Sequence, residues 1–268
     1  MPDPHTPAPT ARVAVVVHSG FGHTRVVADS VAAGAQAVPG AEATVITVDE
    51  VPDRWNELDR ADAIIFGTPT YMAGVSAPFK AFMDATSDRW AGQAWRGKLA
   101  AGFTNSAGLS GDKPGTLQHL SLFAAQHSML WVSLGLLPGA TSSDAPPDAL
   151  NRLASFLGAM TQSATDLDAS HAPPAPDLMT AEKLGERVAR AALGWRGESK
   201  LSRDRERAAI TRVILDYFEG LYRSDAAQLE GVFHADARYV DATADPLTPW
   251  SLAEYLPVVA ARPSPAAR

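Results

Sequence analysis

The chain has 268 residues, room for one large domain or two modest ones, and 46% hydrophobic against 20% charged residues imply a packed core. A formal net charge of -7 argues against the basic surface that nonspecific nucleic-acid binding needs, so no nucleic-acid partner is expected. The absence of cysteine excludes disulfides, thiolate catalysis, Cys-ligated zinc and iron–sulfur clusters; no metal site is expected, and any redox role needs a bound cofactor.

Residues 1–10 are rich in Pro and Thr, lack the apolar core of a secretion signal, and read as a disordered tail. No apolar run is long enough to span a bilayer, so a cytoplasmic protein with no membrane partner is expected. Val13–Val17 is a continuous β-branched run suited to a strand buried on both faces of a parallel sheet. A glycine-containing turn, His18–His23, leads into a helix over Thr24–Val38, which Pro39-Gly40 stops. Strands follow at Ala43–Val48 and Ala61–Phe66, then a helix at Pro78–Ala85 with Phe79, Phe82 and Met83 inward. Leu99–Thr104 is a fourth strand, Thr116–Met129 a helix, Leu130–Leu134 a fifth strand and Thr180–Leu193 the closing helix. This alternation implies an α/β, doubly wound, five-stranded parallel sheet in the order 2-1-3-4-5. Pro138–Pro176 reads as a surface excursion around one short helix, Asp148–Met160. The first domain is then 11–195, followed by a polar linker over 196–204 and a second unit over 205–268.

In an open parallel sheet, ligands sit beyond the carboxyl ends of the strands. Three turns leave such ends. The first, Ser19-Gly20-Phe21-Gly22-His23-Thr24, joins a buried strand to a helix start, where unpaired N–H groups and the helix dipole favour an anion. The alternative is a tight turn in which Ser19 and Thr24 merely cap the helix. A dinucleotide fingerprint fits poorly, because Arg25 replaces the third glycine and Asp49 lies too far on. The second turn, Gly67–Val75, holds Pro69, Thr70, Tyr71 and Met72, and offers apolar surface to an aromatic ring. The third carries Asn105, Ser106, Ala107, Gly108, Ser110 and Gly111, whose backbone suits the edge of such a ring. Singly, the second is also an ordinary strand–helix loop and the third a flexible connection. Jointly they suit a mononucleotide with a large flat ring, FMN.

Over Arg12–Trp195 these residues resemble the flavodoxin-like NAD(P)H:quinone oxidoreductases of the tryptophan-repressor-binding-protein type, and related NADPH-dependent FMN reductases. The carrying residues are Ser19–Thr24, Gly67-Thr68-Pro69-Thr70-Tyr71, Ala77–Asp84 with Trp90, Thr104–Gly108 and Gln126-His127-Ser128-Met129. The resemblance implies FMN phosphate held by Ser19 through Thr24, and isoalloxazine contacts from Thr70, Tyr71, Met72 and Asn105–Gly111. It places Phe21 near the nicotinamide, Trp90 in the roof of the site and His127 beside the flavin. No side chain is assigned as a catalyst. NAD(P)H is the expected co-substrate, a quinone or similar small molecule the acceptor, and self-association is expected. Tyr71-Met72 stand where the quinone reductases often carry Arg-Phe, which bears on the acceptor. An FMN electron carrier without NAD(P)H turnover and a regulatory scaffold are the other classes open at this point. Trp90 is alternatively an oligomer contact, and His18, His119 and Trp95 read as structural.

In the second unit, Ile210, Val213, Ile214, Tyr217, Phe218, Leu221 and Tyr222 form the apolar stripe of a helix over Arg205–Arg223. Asp225 is placed to cap a helix at Ala226–Val232, and Phe233–Val240 suggests a turn into a strand. This segment resembles the opening half of the nuclear-transport-factor-like cone fold in its lumazine-binding branch, an incomplete α+β domain. An oligomerisation arm is the alternative. Uncovered apolar surface is expected on the first reading, and with it poor order or completion by another chain.

Overall fold

The structure, a computed structural model, describes residues 10–240 and 249–267. The expected tail therefore lies outside the described residues except for residue 10, as does part of the second unit. The chain divides into two compact units, Met1–Gly197 and Glu198–Arg268.

In the first unit, β1 (Ala11–Val17) leads to α1 (His23–Gln36), β2 (Ala41–Thr47), α2 (Val51–Arg60) and β3 (Ala63–Tyr71). Then come β4 (Gly74–Val75), α3 (Ala77–Ala85), α4 (Ser87–Ala91), β5 (Leu99–Ser106) and α5 (Lys113–Gln126). β6 (Leu130–Trp131), β7 (Ala159–Gln162) and the start of α6 (Ala175–Arg223) complete it. The parallel order is β2-β1-β3-β5-β6, with β7 also on β5, which matches the expected doubly wound topology.

Alternation along β1 explains why the sheet is covered on both sides. Val13, Val15 and Val17 pack with Val27 and Val31 of α1 and Leu184 and Val188 of α6. Ala14 and Val16 face the opposite layer, with Phe79 and Phe82 of α3 and Leu117 and Phe123 of α5. Successive strand residues point to opposite faces, so a run that is apolar throughout needs both layers. The α1–α6 contact depends on two glycines: a Cβ on Gly34 would lie 2.0 Å from the Glu182 carbonyl oxygen, and one on Gly185 1.9 Å from that of Val31.

Several elements depart from the expected layout. α2 is an additional helix, begun by Val51-Pro52 and buried through only Val51 and Leu58. β3 runs on through Pro69 to Tyr71 rather than ending at Phe66. Its pairing with β1 stops at Val17–Gly67, so beyond that point one side of β3 has no ladder and Pro69 loses no bond there. The fifth strand position is divided: β6 pairs with the start of β5, at Leu99–Leu130, and β7 with its end, at Phe103–Ala159.

The expected helix over Asp148–Met160 is absent. Asn151 accepts from the Ser155 amide at 2.8 Å and donates to the Leu136 and Ser155 carbonyls at 3.0 and 2.8 Å. These local bonds compete with a helix, and Ala159 onward joins the sheet instead. The polar stretch 196–204, expected as a linker, is helical within α6; it contains no proline, and its Glu, Lys and Arg are good helix formers.

In the second unit, α6 is followed by α7 (Ala226–Val232), β8 (Arg238–Val240), β9 (Pro249–Ser251) and α8 (Leu252–Ala261). The Asp225 side chain caps α7 by accepting from the Gln228 amide at 3.0 Å. Leu229, Tyr255 and Val259 form a small core against which Tyr217 and Leu221 pack. Ile210, Val213, Ile214 and Phe218 of the expected stripe are exposed.

The glycine contacts give a paired test of the α1–α6 packing. Gly34→Ala should destabilise the protein by about 1–3 kcal/mol, since backbone on the partner helix cannot step aside. Gly194→Ala, with nothing within 4 Å of the new Cβ, should stabilise it by up to ~1 kcal/mol. Urea denaturation midpoints moving in the same direction for both would refute this account.

Candidate functional site

The carboxyl ends of β1, β3, β5 and β7 open into one cleft of about 620 Å³. Phe21, His23 and Thr24 of the first turn line it, while Ser19, Gly20 and Gly22 lie beside it, outside its lining. β1 ends at Val17, and Gly22, with φ 88°, turns the chain into α1. Among the described residues, the backbone amides of Ser19 through Thr24 donate to no protein acceptor. The first of this segment's neighbours to do so is Arg25, whose amide bonds to the Gly22 carbonyl at 3.0 Å and to Ser19 Oγ at 3.1 Å. Ser19 thus does cap, but it serves an amide beyond the turn and leaves the turn itself open. No acid lies in the first helical turn. A run of free N–H groups at the positive end of a helix dipole is a cradle for an anion.

The second turn supplies a wall. Thr70 and Tyr71 close β3, and the chain reverses through Met72 (φ 48°) and Ala73 (φ 66°) into β4. Tyr71 is half-exposed and meets Phe21 edge-on, with ring centroids 6.5 Å apart at 71°. Its hydroxyl lies 2.6 Å from where a Cβ on Gly20 would stand, so a side chain there would push the Tyr71 ring aside. Met72, expected against the ring, stands fully exposed at the hairpin tip, outside the lining of the cleft.

Buried hydroxyls hold these turns in register. Thr104 Oγ1 donates to the Thr68 carbonyl at 2.7 Å. Its one proton is then used, so Thr70 Oγ1 donates to it at 2.8 Å, and Thr116 Oγ1 in turn donates to Thr70 at 2.8 Å. A second chain links His18 Nδ1 to Ser76 Oγ at 2.8 Å and Ser76 to Thr68 at 3.1 Å. Burial lowers the His18 pKa, consistent with a neutral, structural imidazole.

The third turn brings Asn105, Ser106 and Ala107 to the cleft, while Gly108, Ser110 and Gly111 lie exposed outside its lining. Asn105 is nearly buried, and its Oδ1 accepts from Thr161 Oγ1 at 2.8 Å and Ser163 Oγ at 3.1 Å. Among the described residues its Nδ2 meets no acceptor, which leaves this donor unused by the protein. Gln162 Nε2 donates to the Ala107 carbonyl at 2.9 Å and the Ser163 amide to that of Ser106 at 3.1 Å.

A fourth wall was not foreseen. Ser163, Thr165, Asp166, Leu167 and Asp168 follow β7 and line the cleft opposite Phe21. His23 Nε2 reaches the Leu167 carbonyl at 2.8 Å and ties this wall to the first turn. Hydrogen bonds from Ser170 and His171 hold the Asp168 carboxyl well below the usual range. The small, polar run after β7 is the signal for this wall, and the expected helix Asp148–Met160 overlaps the first two residues of that strand.

Two residues implied by the resemblance lie elsewhere. His127 and Trp90 line a separate recess with Lys80, Thr86 and His119. Thr86 Oγ1 donates to the Met83 carbonyl at 2.6 Å, so His127 Nε2 is the donor across its 2.9 Å contact with Thr86. The imidazole lies 4.7 Å from Trp95, and burial lowers its pKa. Trp90 is half exposed there. Neither touches the cleft within this chain.

Comparison with known proteins agrees with this geometry. Residues 12–137 match the family model "NADPH-dependent FMN reductase", and residues 205–268 match "Putative lumazine-binding". Flavodoxin FldP of Pseudomonas aeruginosa is 44% identical over 184 residues, spanning 67% of this chain and 96% of that protein. The structure of a WrbA-like flavodoxin from Agrobacterium tumefaciens matches with a TM-score of 0.53 at 42% identity, over 68% of this chain and 98% of that one. The rubredoxin oxygen:oxidoreductase of Desulfovibrio gigas shares the fold alone, at 15% identity and a TM-score of 0.50, over 70% of this chain and 37% of that one. With its parallel sheet and its three turns gathered on one cleft, the chain belongs to the flavodoxin-like, FMN-binding oxidoreductases, with WrbA-like flavodoxins among its relatives.

Proposed function

We propose that the protein binds FMN in this cleft and uses it to pass electrons from NAD(P)H to a small acceptor such as a quinone. The observation that carries the reading is the run of unpaired amides from Ser19 to Thr24, set beside the Phe21–Tyr71 pair and the free Asn105 amide. The residues fit the group. The amides and the Thr24 hydroxyl suit its phosphate, the aromatic pair suits the face of a large ring, and Asn105 Nδ2 with the Ser106–Ala107 backbone suits a polar ring edge. When bound, FMN supplies acceptance of a hydride from nicotinamide and release of two electrons. The chain's own part is to hold the ring, to place the second reactant against it and to exclude water. No side-chain acid or base is required for that.

A second reading, an FMN electron carrier without NAD(P)H turnover, is favoured by one feature. The carboxylates lining the cleft, Asp166 and Asp168, are met by no Lys or Arg in the lining. Such a rim opposes a phosphate-rich dinucleotide. The name of the Pseudomonas relative, a flavodoxin, points the same way.

Anaerobic titration of the FMN-loaded protein with NADPH separates the two. Stoichiometric bleaching of the yellow form, with sustained NADPH oxidation once benzoquinone is added, is expected; bleaching by dithionite but not by NADPH would establish the carrier instead. If the enzyme reading holds, Asp166→Asn with Asp168→Asn should lower the KM for NADPH and leave that for the quinone unchanged. Gly20→Val should displace Tyr71 while the fold persists, weakening FMN binding at least tenfold, about 1.4 kcal/mol, by fluorescence titration. Wild-type affinity in that variant would show that the Gly20–Tyr71 contact does not shape the site.

A further inference from the structure

Lys113, at the start of α5, is a fully buried cation, which is rare for lysine without an ionic partner. Its ammonium donates to Ser106 Oγ at 2.9 Å and to the Gly108 carbonyl, both in the third turn. Two charges bear on it, Asp177 and Arg152. These already satisfy each other: Arg152 grips the buried Asp177 carboxylate through Nε at 2.7 Å and Nη2 at 2.9 Å. The same carboxylate accepts from the Gln162 amide at 2.8 Å. Lys113, Arg152 and Asp177 therefore sum to one net positive charge behind a turn that lines the cleft. An unbalanced buried charge costs several kcal/mol, and nothing in the sheet or its helices requires it.

A ligand that carries negative charge in the neighbouring cleft would supply the balance. This inference rests on the FMN reading above. We propose that Lys113 is a positioning residue for the cofactor: its two bonds set the shape of the Ser106–Gly111 turn, and its charge favours the reduced, anionic ring over the oxidised one. It acts through the turn and touches no reacting atom. Burial is the main cause of its ammonium pKa falling to about 8, and Asp177, itself held by Arg152, offsets this only in part. The amine is still charged at neutral pH, where the effect is needed.

The test is the two-electron potential of bound FMN, measured anaerobically against a reference dye, together with the dissociation constant of oxidised FMN, for wild type, Lys113→Met and Lys113→Gln. Methionine keeps the volume without the charge, and glutamine keeps a donor without the charge. Both should bind reduced FMN at least tenfold more weakly relative to oxidised FMN than wild type does, a fall of about 30 mV in potential. Lys113→Arg should recover most of the loss. A purely structural lysine would weaken both oxidation states alike and leave the potential where it was, which would overturn the proposal. In the wild-type chain, the Lys113 amine followed by NMR should titrate at higher pH once FMN is added and reduced; an unchanged titration would also overturn it, even if a variant failed to fold. A wild-type chain that takes up no FMN sinks the functional reading itself, whereas FMN binding with an unaltered potential in the variants sinks this inference alone.

Discussion

Parallel strands all deliver their chain to the same edge, and in the first unit this constraint generates the site. β1, β3, β5 and β7 end together, so the turns that follow them are neighbours although more than a hundred residues separate the first from the last. Each turn inherits its position from a strand buried on both faces and has little freedom to drift. The hydroxyl chain from Thr116 through Thr70 and Thr104 to the Thr68 carbonyl then locks β3 to β5 just below the cleft. Because these groups are buried, their bonds must be complete, and removing one would leave its partners unsatisfied at a cost of about 1–3 kcal/mol.

Much of this was legible in the residues because the buried strands are compositionally extreme. Val13–Val17 and Ala63–Phe66 have no polar member, and such runs leave little choice but a central strand. The glycine turn after β1 was equally plain. What escaped was decided by contacts that local pattern does not carry. α2 buries too little to show a stripe, since Val51 and Leu58 are its buried residues. Pro69 reads as part of the turn after the third strand, yet it sits within β3, where that strand has lost its neighbour on one side. Asn151 redirected a stretch with helical spacing into a local knot of side-chain bonds, and β7 with the fourth wall behind it was hidden by that error.

His127 and Trp90, assigned to the site by resemblance, share a recess apart from the cleft within this chain. Their positions along the chain agree with the family pattern, but a residue's place in a sequence does not fix which side of a helix it serves. His127 is directed into the layer beneath α3 and α4 by aromatic neighbours, Trp95 and Phe123, at 4.7 and 4.9 Å. Those contacts come from the same apolar layer that packs Phe66 and Phe82. Core packing has claimed the side chain, and the site lies beyond the strand ends instead.

Charge around the cleft is unevenly distributed, and the unevenness is informative. The first turn offers backbone amides, and no Lys or Arg lines the cleft, so its attraction for an anion is short-ranged and depends on a snug approach. The rim opposite Phe21 is acidic through Asp166 and Asp168. The positive charge is held back, buried in Lys113 beneath the turn that faces the ring. A protein with a formal net charge of -7 does not attract anions from a distance. Its preference for one has to come from groups that act at contact, and here those are a neutral cradle and one desolvated ammonium. A charge in that position discriminates little between ligands still in solution. It discriminates strongly between two charge states of a ligand already seated, which is what tuning a redox cofactor demands.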